Sequence, residues 1–369
     1  MSKLKEVELV STGVYLPGDP VKFDEIEKVI GYLDDAPPRM KKLIEKLRPS
    51  MKELIGIDTC HFAVDPVTKK INESILTLAT KASRRALQSA NMDSQEVEAI
   101  IIATPVPEYQ TPPISTLIQQ ELRIAKCQEF EIHSNCGGAT KALQIGYDGI
   151  RLGRFKNALV LYSQLSSSFL INTYYNQAKI KPENLLLRWF LSDSAAAFVL
   201  KGHDKVENGM QILDVYNESV GLDWEPAMWM YLGAKNLNLQ ETYEKGLHHL
   251  GQDYSTVVNK SEYFFVNGFK RMAEQAEVDP KKLDYLIATI PSNKMLNQAR
   301  SVFDKEFGLA PEKWFSAVRE KGYSGGATIM IGLDDMLKKK MFTPGQLLAC
   351  MTIESSKWMF GGFFLNYLK

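Results

Sequence analysis

The chain has no net charge, no paired cysteines and no long apolar run, and each absence removes a class of function. Its 44 Lys and Arg balance 44 Asp and Glu, so there is no basic surplus to neutralise a phosphate backbone, which argues against nucleic acid as a partner. No apolar stretch reaches the ~18–20 residues a membrane helix needs, and the charged start MSKLKEVELV reads as a strand rather than a signal peptide. A cytoplasmic protein without a membrane span is expected. Cys60, Cys127, Cys136 and Cys350 are scattered, with no CxxC pair and no metal-ligand spacing, which predicts reduced thiols and no metal site. Histidine is scarce too: His61, His133, His203, His248 and His249 are all there are, and none follows residue 249.

What is present is an alternation of short apolar runs and longer helical patterns, the mark of an α/β protein. Strands are predicted over 6–13, 97–104, 128–133, 157–163, 195–201, 209–216, 284–290, 346–353 and 359–367. Helices are predicted over 73–91, behind an Asn72 cap, and over 113–123, 137–152, 260–277, 293–307 and 324–338. The polar, proline-bounded segment 34–58 reads as a helical cap inserted over the core.

The pattern repeats. MDSQEVEAIIIATP (92–105) aligns without gaps with VDPKKLDYLIATIP (278–291), an offset of 186 residues, and GGAT at 137–140 returns at 325–328, an offset of 188. Two motifs in one order at nearly one offset imply a duplicated half. The expected halves are 1–205 and 206–369, with residues 92–105 and 278–291 related by a pseudo-twofold rotation.

Within the repeat, Cys136 precedes one GGAT and Ser324 the other. A pseudo-twofold axis can bring both helix starts together, where free N–H groups favour a thiolate and receive the oxyanion of a thioester under attack. Cysteine at the end of an apolar strand is ordinarily core filling, which is the reading for Cys60, Cys127 and Cys350. At Cys136 the strand-to-helix elbow EIHSNCGGATKALQIG sets a nucleophilic reading beside that one.

STGVYLPGD, GID (56–58), IIATPVPEYQTPP (101–113), SNCGGATKALQIGYDGIRLGRFKNALVLYSQ, FLSDSAAAFVL (190–200), FFVNGFKRMAEQ (264–275), IPSNKMLNQAR (290–300) and GYSGGATI (322–329) together resemble the thiolase-fold condensing enzymes, most closely β-ketoacyl-acyl-carrier-protein synthase III. The resemblance implies a duplicated thiolase-type five-layer αβαβα fold, a homodimer, and Cys136 as the acyl-accepting nucleophile. It also implies an acyl-carrier protein or coenzyme A thioester as substrate, with no bound cofactor. Carrier docking would fall to Lys294 and Arg300, with Asn297 where the family has an arginine.

The departures are as informative. The family's catalytic histidine falls on Ser292 and its asparagine on Tyr323. The glycine-rich oxyanion loop is ESSKWMFGG (354–362), with Ser356 at the donor position and Lys357 beside it, and the tryptophan that stacks on coenzyme A falls on Ser50. Ser292 and Tyr323 each offer a hydrogen bond but no imidazole proton chemistry. Losing the preformed donors for a malonyl enolate costs ~100–1,000-fold. Malonyl condensation is thus expected to be impaired, while acylation of Cys136 survives.

Three readings follow. The first is an acyltransferase or atypical condensing enzyme of fatty-acid or polyketide-type biosynthesis, with Ser292, Tyr323 or Glu354 assisting Cys136, and Ser324, Ser356 and Glu354 lining the site. The second is a condensation-deficient partner, heterodimeric with a complete ketosynthase. The third is a lipid-binding protein without covalent chemistry. Tyr323 and Ser324 are expected near the thiol, the phenol filling the space of an extender's carboxylate, and His133 is expected to be a buried or rim residue.

Overall fold

The structure, a computed structural model, describes residues 4–369. Nine strands form one sheet: β1 Glu6–Tyr15, β2 Ala99–Thr104, β3 Gln128–His133, β4 Asn157–Gln164, β5 Ser194–His203, β6 Met210–Ser219, β7 Tyr285–Ala288, β8 Leu347–Glu354 and β9 Met359–Tyr367. The principal helices are α1 Pro38–Ile55, α2 Ile75–Ser89, α3 Ile114–Glu121, α4 Gly138–Arg151, α5 Tyr254–Gln275, α6 Asn293–Phe307 and α7 Ala327–Lys338.

The strand order is β7-β8-β9-β6-β1-β5-β4-β2-β3. It reads as two copies of one arrangement meeting where β1 runs antiparallel to β6. In the first copy β3, β2 and β4 run parallel, in the second β7 and β8 do, and the other pairings are antiparallel. The partner expected beyond β7 is reduced to a single parallel bridge, Leu286 to Trp314. The repeat extends to its turns. Asp93 and Asp279 each cap a short 3-10 turn through the side chain, and Asn91 and Glu277 both adopt left-handed backbone, φ 49° and 52°.

Layering follows from burial. β2 reads AIIIAT and is buried throughout, and β5 is buried from Ser194 to Leu200; strands apolar on both faces must be covered on both. α2 and α3 cover one half-sheet outside, and α5 and α6 the other. α4 and α7 lie between the halves and touch strands of both, their apolar faces sharing one central core. The result is the five-layer α/β/α/β/α order.

Local chemistry moves several boundaries. α2 starts behind Ser74, not Asn72. Ser74 Oγ accepts from Thr77 N at 3.2 Å and Thr77 Oγ1 from Ser74 N at 2.9 Å, a reciprocal cap, whereas Asn72 N is spent on the Ala63 carbonyl. α5 begins at Tyr254 rather than 260 because Asp253 caps it, accepting from Thr256 N at 3.0 Å. α7 begins at Ala327, since 324–326 form the turn that precedes it. α1 fills the 34–58 cap and ends at Gly56, whose φ of 67° suits glycine.

Candidate active site

α4 and α7, the two central helices, start nose to nose. Gly137 is the N-cap of α4 and Gly326 that of α7, and the chain between them is tight. A Cβ on Gly326 would lie 2.8 Å from the Cys136 carbonyl and 2.7 Å from Tyr162 Cε2; one on Gly138 would lie 3.2 Å from that same ring atom. The Tyr162 ring, at the buried end of β4, is therefore wedged between the two GGAT turns. Gly322, at φ 74°, has no room for a side chain against Ser192 and turns the chain so that Tyr323 enters the site.

Cys136 immediately precedes α4, partly exposed against the cap's apolar cluster. Its Sγ lies 3.0 Å from Tyr323 Oη. The phenol is 6 % exposed and packs edge-on against Phe190 at 5.9 Å. Burial pushes the Cys136 thiol up to about 12, the Tyr323 hydrogen bond pulling it down and the Glu354 charge raising it further. A thiolate favoured at rest, as the helix start suggested, is thus overruled by desolvation and a neighbouring carboxylate. Burial likewise raises Tyr323 and Tyr162 well above the usual phenol range.

That carboxylate has claimed the helix start. Glu354, 3 % exposed at the end of β8, accepts through Oε2 from Gly137 N at 3.0 Å and from Ser134 Oγ at 2.7 Å. Its Oε1 accepts from Ser356 Oγ at 2.5 Å. Lys141 Nζ donates to Ser134 Oγ at 2.8 Å and to Met359 Sδ at 3.1 Å, not to Glu354 itself. Glu354 has no ion-pair partner recorded among the described residues.

No family model matches the chain. It is 24% identical over 344 residues to β-ketoacyl-[acyl-carrier-protein] synthase III of Clostridium acetobutylicum, covering 93% of each chain. Among solved structures it is similar to the tetronic acid condensing enzyme AbyA1, with a TM-score of 0.80 at 23% identity over 98% of this chain and 99% of that one. It is also similar to 3-oxoacyl-[acyl-carrier-protein] synthase III of Aquifex aeolicus, with a TM-score of 0.72 at 21% identity over 98% and 100%. The chain has the fold of these condensing enzymes and is similar to synthase III over most of its length.

In this synthase III-like chain the other positions singled out from the sequence divide. Tyr323 and Glu354 converge on Cys136, and Ser356 joins through Glu354. Ser324 is fully buried and donates to the Ser192 carbonyl at 3.3 Å, fastening the turn. Ser292, 4 % exposed, caps α6, accepting from Met295 N at 3.3 Å and from Tyr254 Oη at 3.4 Å. Lys294 is exposed on α6, but Arg300 folds back onto the Trp314 carbonyl at 3.4 Å, and six residues of helix put the two on different faces.

Among the described residues no histidine is hydrogen-bonded to Cys136 or Tyr323. His133 is exposed and bonds the Pro105 carbonyl at 3.0 Å, and His61 bonds the Pro17 carbonyl. His248 and His249 are buried against Tyr174 and Tyr175. Sequence reasoning missed Ser134, Lys141 and Tyr162. The first two lie in the very elbow that singled out Cys136, and Tyr162 stands two residues before the end of a strand whose repeat partner ends in Glu354.

Proposed function

We propose that this chain is an acyl-thioester transferase or atypical condensing enzyme of fatty-acid or polyketide-type biosynthesis, acylated on Cys136. The observation that carries the reading is the Sγ of the partly exposed Cys136 at the meeting of two helix starts, 3.0 Å from a phenol. The halves, taken as 1–205 and 206–369, divide the work: the first supplies the thiol, the second the phenol and the carboxylate.

Acylation begins when Sγ gives up its proton and attacks the carbonyl carbon of a carrier-bound thioester; the C–S bond to the pantetheine arm breaks and that sulfur leaves as a thiol. Tyr323 Oη hydrogen-bonds the ionised sulfur, and the N–H of Cys136 itself faces it. Gly137 N–H, held by Glu354, does not serve the oxyanion unless the carboxylate shifts. No imidazole stands by to polarise a malonyl thioester, so the second step differs from decarboxylative condensation.

The donor is an acyl-carrier protein or coenzyme A thioester. Lys294 and the exposed Arg39, Lys41, Lys42 and Lys46 of α1, which packs on α6, offer a basic face to an acidic carrier helix. β3 pairs only with β2 and leaves a free sheet edge, which suits a homodimer built strand to strand. No described helix is long and apolar enough to cross a membrane.

Incubation with an acyl-carrier protein or a small acyl thioester, followed by intact mass, tests the reading: an acyl-sized gain absent from Cys136→Ala is expected, and no gain from any donor overturns it. A second reading, a condensation-deficient partner of a complete ketosynthase, is favoured by one observation, the thiol held neutral with the adjacent N–H occupied. Co-purification with a ketosynthase and no mass gain would support it.

A further inference from the structure

Glu354 places a negative charge where an extender would have to enter. It accepts three hydrogen bonds and donates none, as a carboxylate does. The described structure records no cation in contact with it, since Lys141 stops at the intervening Ser134. Its charge reaches both Cys136 and Tyr162. One lone-pair direction on Oε1 beyond the Ser356 bond is left for a further donor.

This arrangement bears on which nucleophile follows acylation. A malonyl group brings its own carboxylate, and two like charges about 5 Å apart at an effective dielectric near 20 disfavour its entry by on the order of 100-fold. An alcohol needs a strong base to make it nucleophilic, and every histidine in the described structure is engaged elsewhere. A primary amine needs no strong base: it is drawn in as its cation, gives one proton to solvent, attacks as the free base, and loses a second proton from nitrogen once the new bond has formed.

Resting on acylation of Cys136 as proposed above, we infer that the acceptor is a primary amine, that Glu354 binds it and takes its proton, and that the product is an amide. The amine nitrogen bonds to the acyl carbon and the bond from that carbon to Sγ breaks. The proton released from nitrogen passes to Glu354 and from there to the departing sulfur, which Tyr323 Oη steadies by hydrogen bond. The thiol is regenerated with no oxidant, reductant or further reactant.

The test uses the full chain, acylated with a small acyl thioester and freed of excess donor, then mixed with ethylamine, ethanol or malonyl-N-acetylcysteamine while intact mass follows loss of the acyl group. Ethylamine is expected to clear the adduct and release the N-ethyl amide at least 10-fold faster in the native protein than in Glu354→Gln. Ethanol and malonyl thioester are expected to leave the adduct in place. Equal ethylamine rates in both proteins, or a C–C product from malonyl thioester, would overturn the inference while leaving acylation intact. Absence of any adduct would instead overturn the proposed function, and this inference with it.

Discussion

Gln164 and Glu354 end the corresponding strands β4 and β8, and each is joined to the serine two residues on. Gln164 Nε2 donates to Ser166 Oγ at 2.6 Å, and Ser356 Oγ donates to Glu354 Oε1 at 2.5 Å. The duplication has kept the contact and changed one amide for a charge. That charge, beside the thiol, makes the two ends of the pseudo-twofold chemically unequal.

Neutralising it should speed the first step. In Glu354→Gln the thiol loses the charge that raises it, so more thiolate is present at a given pH, partly offset by its lower nucleophilicity. Acylation by a small thioester at pH 7.5 is expected to rise about 3- to 10-fold, read as the rate of mass gain.

With the thiol pushed up to about 12, the thiolate fraction grows about tenfold per pH unit below that value. The acylation rate should therefore climb without a plateau from pH 6 to pH 9; a plateau near neutrality would contradict the burial that raises the thiol. Tyr323→Phe removes a bond that favours the ionised sulfur and should slow acylation about 3- to 10-fold across that range, as loss of a hydrogen bond of about 1 kcal/mol dictates.

Ser292→Ala separates cap from catalyst. Its hydroxyl already accepts from Met295 N, so the variant should lose about 1 kcal/mol of stability in denaturant titration with the acylation rate unchanged. A fall in rate larger than the loss of folded protein would restore Ser292 to the chemistry.

Gly326→Ala drives a methyl into the Cys136 carbonyl and the Tyr162 ring and is expected to lower both the thermal midpoint and acylation. Gly233→Ala, with nothing within 4 Å of the added carbon, should change neither. Calorimetry and the mass assay on the pair check this.

Charge reversal at Lys42 and Lys46 on α1, with Lys294 on α6, should slow acylation from carrier-bound donors while sparing N-acetylcysteamine thioesters. Each exposed pair contributes ~0.2–1 kcal/mol, so the triple variant is expected to lose roughly 3- to 100-fold, and less at high salt. Equal slowing with both donors would remove the docking face.

The duplicated fold was legible because its signals are local and written twice: the aspartate caps 186 residues apart, the apolar strands AIIIAT and YLIA, and the GGAT turns. Cys136 and Tyr323 could be picked out because each stands one or two residues before such a turn. Ser74 was hidden because Asn72 is an equally good cap by residue type, and only the reciprocal bond with Thr77 chooses between them. The thiol's high affinity for its proton was not legible. It depends first on burial by tertiary packing and then on Glu354, 218 residues away in sequence, which reaches Gly137 N, and no periodicity encodes which buried N–H a distant carboxylate will take. The tie of Arg300 to the Trp314 carbonyl was hidden for the same reason, being set by the turn after α6.

The seam between the half-sheets comprises three residue pairs, Val7 with Ile212, Glu8 with Gln211 and Leu9 with Met210. So short a hem carries little load, and the tie between the halves falls to α4 and α7, which touch strands on both sides. The Cys136 sulfur hangs from the tip of one of these tie-beams. Any force that prises the halves apart is therefore felt first at the thiol and last in the strands, so that loss of catalysis would be the early alarm for a loosening molecule whose circular dichroism still looks whole.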